Sequence, residues 1–199
     1  AAGRAAIARA LDETAWRETR LRLTFAPPLF FLAVEPFEPR PRAAYETGVT
    51  CVTLGLRRAN PHAKDTRFIP TAGAAYRHLP EGIEEGLLVE KDAILEGLSS
   101  NFFAILDGTL RTEEERALLG VTRALVLEVA EGLLPVERRA LRLNELPRAQ
   151  EAFLTSVSRE VLPVVRIDGQ AVGDGRVGLL TRRIMDGFTG LLEREAEIL

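Results

Sequence analysis

At 199 residues, with 46% apolar and 28% charged residues, the chain has the composition of one globular domain plus part of another, which excludes a disordered or collagen-like polymer. The formal net charge of -3 is the difference between 26 basic and 29 acidic residues spread without long blocks, so no face for nucleic acid or anionic lipid stands out. The single cysteine, Cys51, excludes an intrachain disulfide and a cysteine-based zinc site, and it fits a reducing, cytoplasmic compartment.

The opening AAGRAAIARALDE has no starting Met and lacks the regions of a signal peptide. It reads as the middle of a helix, so an absent N-terminal part is expected. No stretch reaches the roughly 18 consecutive apolar residues of a membrane span. Residues 4–16 carry Ile7, Leu11 and Trp16 at helical spacing, and RLRLTFA alternates as a half-buried strand does. LFFLAVEPF reads as a strand buried on both faces, and the three prolines of PFEPRPR predict a linker over 36–42.

After the linker, the β-branched run VTCVTLGL predicts a strand, ANPH a turn that leads to Lys64, and residues 72–79 a short helix. EGLLVE, AILEG, NFFAIL and TLRT predict a meander with turns at Lys91-Asp92 and Asp107-Gly108, because Asp-Gly between apolar runs favours positive φ at both turn positions. An acidic first turn and the apolar series Leu118, Val121, Leu125, Val129 and Leu133 predict a helix over 113–132, interrupted at Gly120. NELPRAQEA predicts a short helix, AFLTSV and VLPVVRIDG strands, and VGLLTRRIMDGFTGLLERE a closing amphipathic helix. This is a mixed α+β order with too many hairpins for a doubly wound sheet.

GDGRVG at 173–178 matches a dinucleotide fingerprint in letters, but no strand follows its helix to present a ribose-binding acid, so the glycines are expected to form a plain loop. There is no GxSxG elbow, and His62 and His78 lie in loop-like surroundings with neither a paired cysteine nor a metal-ligand cluster, so both are expected at the surface. Of the 26 basic residues only Lys64 and Lys91 are lysines, which makes each a candidate for chemistry that a guanidinium cannot do. Lys91 falls in a predicted hairpin turn. Lys64 follows a strand, where a pocket could desolvate its amine for Schiff-base chemistry.

A Schiff-base lysine calls for a carbonyl partner. For pyridoxal phosphate the protein must also supply a carboxylate for the pyridine nitrogen and a cup for the phosphate. Glu96, just before a Gly-Leu-Ser-Ser loop, is the candidate carboxylate. LLGVTR is a candidate cup, because Gly120 permits close approach while the Val121 and Thr122 amides and the Thr122 hydroxyl sit at a helix start. TSVSRE at 155–160 offers a second hydroxyl-rich strand end.

In this order, Lys64, EGLLVEKDAILEGLSSNFFAILDGTLRT, LLGVTR, EAFLTSVSREVLPVVRIDG and GDGRVGLLTRR resemble the class IV, fold-type IV pyridoxal-phosphate enzymes over about residues 49–190. That family includes branched-chain and D-amino acid aminotransferases and aminodeoxychorismate lyases. The resemblance implies a two-domain α+β fold, with the remnant of a small N-terminal domain at 1–38 and a mixed α/β pseudo-barrel cofactor domain at 39–199. It implies pyridoxal 5'-phosphate as cofactor, Lys64 as the Schiff-base and proton-transferring residue, and Glu96 at the pyridine nitrogen. Leu118 would pack on the ring, Gly120, Val121 and Thr122 would hold the phosphate, Ser156 and Val157 would form the other side of the cup, and Ser99 and Ser100 would line the ring edge.

The implied reaction is transamination between an amino acid and a 2-oxo acid by a homodimer, with no metal, nucleic-acid or membrane partner. Elimination of pyruvate, as in aminodeoxychorismate lyase, and a non-catalytic remnant of the fold are the alternatives. The resemblance also implies an earlier N-terminal segment, with a phosphate-clamping arginine, which is expected to lie ahead of residue 1. Asp65, Thr66, Arg67 and Phe68 after Lys64 also depart from the Asn-Tyr pattern of branched-chain members.

Overall fold

A computed structural model of the chain describes residues 2–195, which fall into two compact units, one ending at Arg40 and the other running from Pro41 to Glu195. In the first, helix α1 (Ala2–Asp12) precedes an antiparallel ribbon of β1 (Thr19–Ala26) and β2 (Leu29–Pro36). The helix stops short of Trp16, where the Thr14 hydroxyl donates to the Leu11 carbonyl just past its end. Leu21, Leu23 and Phe25 oppose Val34, Leu32 and Phe30 on one face of the ribbon, while Arg20 and Arg22 pair with Glu35 on the other. The expectation of a strand buried on both faces fails for LFFLAVEPF. Leu29, Phe30 and Phe31 are all more than half exposed, because among the described residues of this unit the two-stranded ribbon has no layer that covers them.

The second unit contains α2 (Arg42–Thr47), β3 (Val49–Leu54), α3 (Ile69–Arg77), β4 (Ile83–Glu90), β5 (Ala93–Gly97), β6 (Asn101–Leu106), β7 (Thr109–Arg111) and α4 (Val121–Glu131). Then follow β8 (Val136–Glu137), β9 (Leu141–Arg142), β10 (Ala149–Ser156), β11 (Glu160–Ile167), β12 (Gln170–Ala171) and α5 (Leu179–Glu195). The sheet runs β8-β7-β6-β10-β11-β3-β4-β5-β9, and β5 also pairs with β6, so β6, β10, β11, β3, β4 and β5 close into a ring. The closing pair is Glu96 with Asn101. Closure removes the open edges that an isolated sheet would present.

β6 is buried at every position and so on both faces, which is why NFFAIL carries an unbroken apolar run after its first residue. Phe102, Ala104 and Leu106 join Cys51, Leu87, Ile94, Leu154 and Leu162 in one cluster fed by all six strands. Phe103 and Ile105 face the other way, packing with Phe153 against Val126, Leu127 and Ala130 of α4 and Ile184 and Phe188 of α5. A third cluster sets Leu88, Leu95 and Leu98 against α3. Phe103 and Phe153 are direct cross-strand partners, stacked with centroids 4.9 Å apart.

The expected hairpin turns form, with positive φ at Lys91, Asp92, Asp107 and Gly108. The helix expected over 113–132 begins only at Val121. Glu113 folds its carboxylate back onto the amides of Glu114, Glu115 and Arg116, at 2.9 to 3.2 Å, and so ties the acidic stretch into a non-helical loop. NELPRAQEA is a 3-10 turn over Leu143–Arg148, and its last residues enter β10 rather than a helix. The GDGRVG run is a loop, and the start of α5 is already served by the protein itself: Glu151 accepts the Leu180 and Thr181 amides at 3.1 and 2.6 Å. Among the described residues no helix is long and apolar enough to cross a membrane.

Glu145 links β7 to β9 by accepting from the Arg142 amide, Arg139 and Arg111. Partial burial works against its charge, but these donors outweigh it and hold its pKa at about 2, against 4.5 for the free side chain. A depressed acid stabilises the fold above its unfolded value and loses that contribution as pH falls toward the folded one. Wild-type stability in urea is therefore expected to fall between pH 4.5 and 2, with the Glu145→Gln variant flatter over that window. Phe153→Ala is expected to cost about 3–5 kcal/mol in the same measurement, through a cavity beside Phe103.

Candidate active site

The site grows from the seam of the ring. Glu96 is the fourth residue of β5 and is only 2% exposed. Its Oε1 accepts from Arg58 Nε at 3.0 Å, and its Oε2 accepts from the Leu118 amide at 3.0 Å. Burial, with the Glu85 charge, holds the carboxyl above the usual range, and the Arg58 charge and the Leu118 amide offset only part of that rise. Asn101, its partner in the sheet, donates from Nδ2 to the Leu118 carbonyl at 2.5 Å, so the two residues that close the ring also grip both sides of Leu118. Had the 113–120 segment been helical, the Leu118 amide would have been spent on a helix bond.

Gly120 is the N-cap of α4, with extended backbone and no side-chain cap bond. A Cβ there would come within 2.6 Å of Asn101 Oδ1, so any larger residue would have to push the Asn101 amide aside. Thr122 is buried in the first turn, whereas the Val121 side chain is exposed. Such a start presents amide N–H groups with a favourable dipole, a donor set suited to an anion. Ser156 ends β10, half-buried, and Val157 in the following turn is 81% exposed.

Lys64 sits in an irregular segment and is exposed, so the expected enclosure of its amine is not found among the described residues. The segment is nonetheless anchored. Arg58 stacks over the Phe68 ring at 4.2 Å while holding Glu96, and His62 donates from Nε2 to the Glu115 carbonyl at 2.7 Å. Asp65 turns away to Arg67, accepting its amide and its guanidinium. Both histidines are exposed, as expected, and His78 bonds the Ala74 carbonyl.

Ser99 and Ser100 direct their hydroxyls at a second buried group, Glu85, at 3.3 and 3.0 Å. Glu85 is fully buried and also accepts from Tyr76 at 2.5 Å. Arg159, from the turn between β10 and β11, reaches Glu84 at 2.9 Å, Glu85 at 3.4 Å and Ser99 at 2.9 Å. Burial and the Glu85 charge hold the Tyr76 hydroxyl up at about 12, so it stays a proton donor at neutral pH. The structure thus brings Glu96, Leu118 and Gly120 together around Asn101, and links Ser99 and Ser100 to the Ser156–Arg159 turn. Sequence reasoning missed Arg58, Asn101, Glu85 and Arg159. Adjacent acidic residues at the head of an apolar strand, Glu84-Glu85, were the one available signal, while Arg58 was one arginine among 24.

The amino-transferase class IV family model matches residues 2–167, and the chain belongs to that family. The branched-chain-amino-acid aminotransferase of Escherichia coli K12 is 33% identical over 172 residues, covering 77% of this chain and 53% of that protein. The D-alanine aminotransferase of Staphylococcus aureus strain COL is 31% identical over 158 residues, covering 77% and 56%. The chain therefore spans little more than half the length of these curated relatives. The crystal structure of the Escherichia coli branched-chain enzyme superposes with a TM-score of 0.71 at 30% identity, over 84% of this chain and 59% of that one. That of the T.th. branched-chain enzyme with pyridoxamine 5'-phosphate shares the fold, with a TM-score of 0.75 at 24% identity over 84% and 58%. The second unit has the mixed α/β, barrel-like architecture of these aminotransferases.

The clash at Gly120 generates a prediction. Gly120→Ala is expected to cost about 1 kcal/mol by displacing Asn101 from the Leu118 carbonyl. In an Asn101→Ala background the same change should cost little, so a double-mutant cycle in urea should report coupling between the two positions.

Proposed function

We propose that this chain carries the cofactor domain of a pyridoxal 5'-phosphate-dependent aminotransferase, which moves an amino group between an amino acid and a 2-oxo acid. The observation that carries the reading is the Glu96 carboxylate, buried yet paired and hydrogen-bonded. Family membership and the neighbour solved with pyridoxamine 5'-phosphate support the same cofactor. The residues present fit that group. Its pyridine nitrogen calls for a buried anion and its phosphate for free amides at a helix start, which Glu96 and the start of α4 offer; for its aldehyde this reading assigns Lys64 as the amine.

Pyridoxal 5'-phosphate, when bound, supplies the aldehyde and an electron-withdrawing ring. Glu96 would accept a hydrogen bond from the ring nitrogen and favour its protonated form. The amides of Val121 and Thr122 and the Thr122 hydroxyl would bind the phosphate, with Ser156 and the Val157 amide on its other side. Leu118, fixed through both its backbone groups, would pack against the ring. Ser99 and Ser100 would border the ring edge while their hydroxyls hold Glu85. Lys64 Nζ would take and return the proton that moves at the substrate's α-carbon. The relatives are named for branched-chain amino acids and for D-alanine, so this reading stays at the class of amino acid and 2-oxo acid.

Full-length protein mixed with pyridoxal 5'-phosphate should develop a visible absorption band that borohydride traps on Lys64, identified by peptide mass spectrometry. Amino acid donors should then convert the bound cofactor to its pyridoxamine form. Lys64→Ala should lose the trapped adduct and at least about 100-fold in turnover. Pyruvate release from aminodeoxychorismate, without conversion by amino donors, would assign the lyase reaction instead, and absence of any band would overturn the reading.

A further inference from the structure

We infer that Arg58 is a positioning residue for the site: by stacking on Phe68 it closes the loop that carries Lys64, and through the same guanidinium it fixes the Glu96 carboxylate in its charged form for the cofactor's ring nitrogen. The second half rests on the reading of Glu96 proposed above, whereas the loop closure and the charge of Glu96 belong to this chain alone.

Arg58 and Phe68 stand on either side of Lys64 in the chain, and their contact at 4.2 Å joins the two ends of the intervening loop. Joining the ends lowers the conformational entropy of everything between them. The same guanidinium reaches Glu96 at 3.0 Å, with the Arg58 side chain 10% exposed and that of Glu96 2%. One buried group therefore touches both the framework of the amine loop and the acid.

The charges acting on Glu96 leave little redundancy. The Leu118 amide is a neutral donor. Glu85 also acts on Glu96 and opposes its ionisation, although Glu85 is itself held by Tyr76 and Arg159. Among the described residues Arg58 is the cation paired directly with Glu96, so removing it leaves a buried acid that would sooner take up a proton than stay charged. Its neighbour Arg57 cannot substitute, because it points to Glu90 and is 67% exposed. The geometry also selects arginine over lysine. A planar guanidinium can lie on an aromatic face while an N–H in its edge reaches a carboxylate, and an ammonium cannot combine the two.

The test uses full-length protein carrying Arg58→Leu, Arg58→Lys or Phe68→Leu, each checked for folding by circular dichroism. Without cofactor, the Glu96 carboxyl is titrated by carbon-13 NMR, its signal assigned with Glu96→Gln, and hydrogen exchange is followed at amides 59–66. Arg58→Leu should raise the Glu96 midpoint by about 1–3 pH units. It should also speed exchange in the loop by about 3- to 30-fold. Arg58→Lys should recover most of the midpoint but not the slow exchange, and Phe68→Leu should speed exchange and leave the midpoint in place. If Arg58→Leu does not fold, Arg58→Gln, which keeps a planar polar side chain without the charge, carries the same midpoint test, and Phe68→Leu carries the exchange test.

An unchanged Glu96 midpoint in Arg58→Leu, or unchanged loop exchange in both Arg58→Leu and Phe68→Leu, overturns the inference. Binding of pyridoxal 5'-phosphate, read from its visible band, separates this failure from that of the proposed function. A wild type that binds and an Arg58→Leu protein that binds equally well, with the same pH dependence of the band, sinks the role of Arg58 only. A wild type that gives no band sinks the cofactor reading, and the measurements without cofactor still decide whether Arg58 fixes the loop and the acid.

Discussion

A carboxylate buried in the seam of a closed sheet needs its charge balanced within hydrogen-bond reach, and at Glu96 that balance comes from one guanidinium and one backbone amide. Each partner brings a different part of the chain to the same place. Arg58 belongs to the segment that leads from β3 to Lys64. Leu118 belongs to the loop that leads into α4, and Asn101 belongs to the strand that completes the ring. The electrostatic requirement of a single acid therefore orders three otherwise separate segments. Because an unpaired buried charge is far more costly than an unmade surface contact, these segments have little freedom to settle elsewhere.

A second buried network runs beside the first. Glu85 gathers Tyr76 from α3, Ser99 and Ser100 from the connection between β5 and β6, and Arg159 from the turn between β10 and β11. The Tyr45 hydroxyl adds α2 by donating to the Arg159 carbonyl. Gly97, next to Glu96 in β5, lies so close to both Ser100 and Glu85 that a Cβ would overlap them. The short connection of residues 97–100 is thus pinned from within the ring and from its flank. That is the rigidity expected of a frame meant to hold small groups at fixed separations.

Much of this architecture is legible in the linear chain because local chemistry and tertiary packing agree. Asp107-Gly108 and Lys91-Asp92 adopt the positive φ that their hairpins demand, and the unbroken apolar run of NFFAIL reports burial on two sides. The same rule misleads at LFFLAVEPF, where an equally apolar strand sits in a two-stranded ribbon and remains open. Apolar content signals a tendency to be covered and says nothing about whether a covering layer is there. Helical spacing misleads in the same manner from Glu113 to Gly120. There Glu113 folds its carboxylate over the next three amides, the Leu118 amide goes to Glu96 instead of to a helix bond, and the acidic first turn becomes a loop.

What the residue order determined by itself was the strands of the meander, its tight turns, a break at Gly120 and the scarcity of lysine that singles out Lys64, each resting on steric or chemical properties of a few neighbouring residues. Only the folded chain decided which of 24 arginines would stand beside Glu96, that Asn101 would clasp Leu118, and that Glu151 would occupy the glycine-rich start of α5. The reason is range. Turn conformation and strand formation draw on interactions a few residues apart, whereas the partner of a buried charge is chosen by whichever distant segment the closing of the sheet brings within about 3 Å.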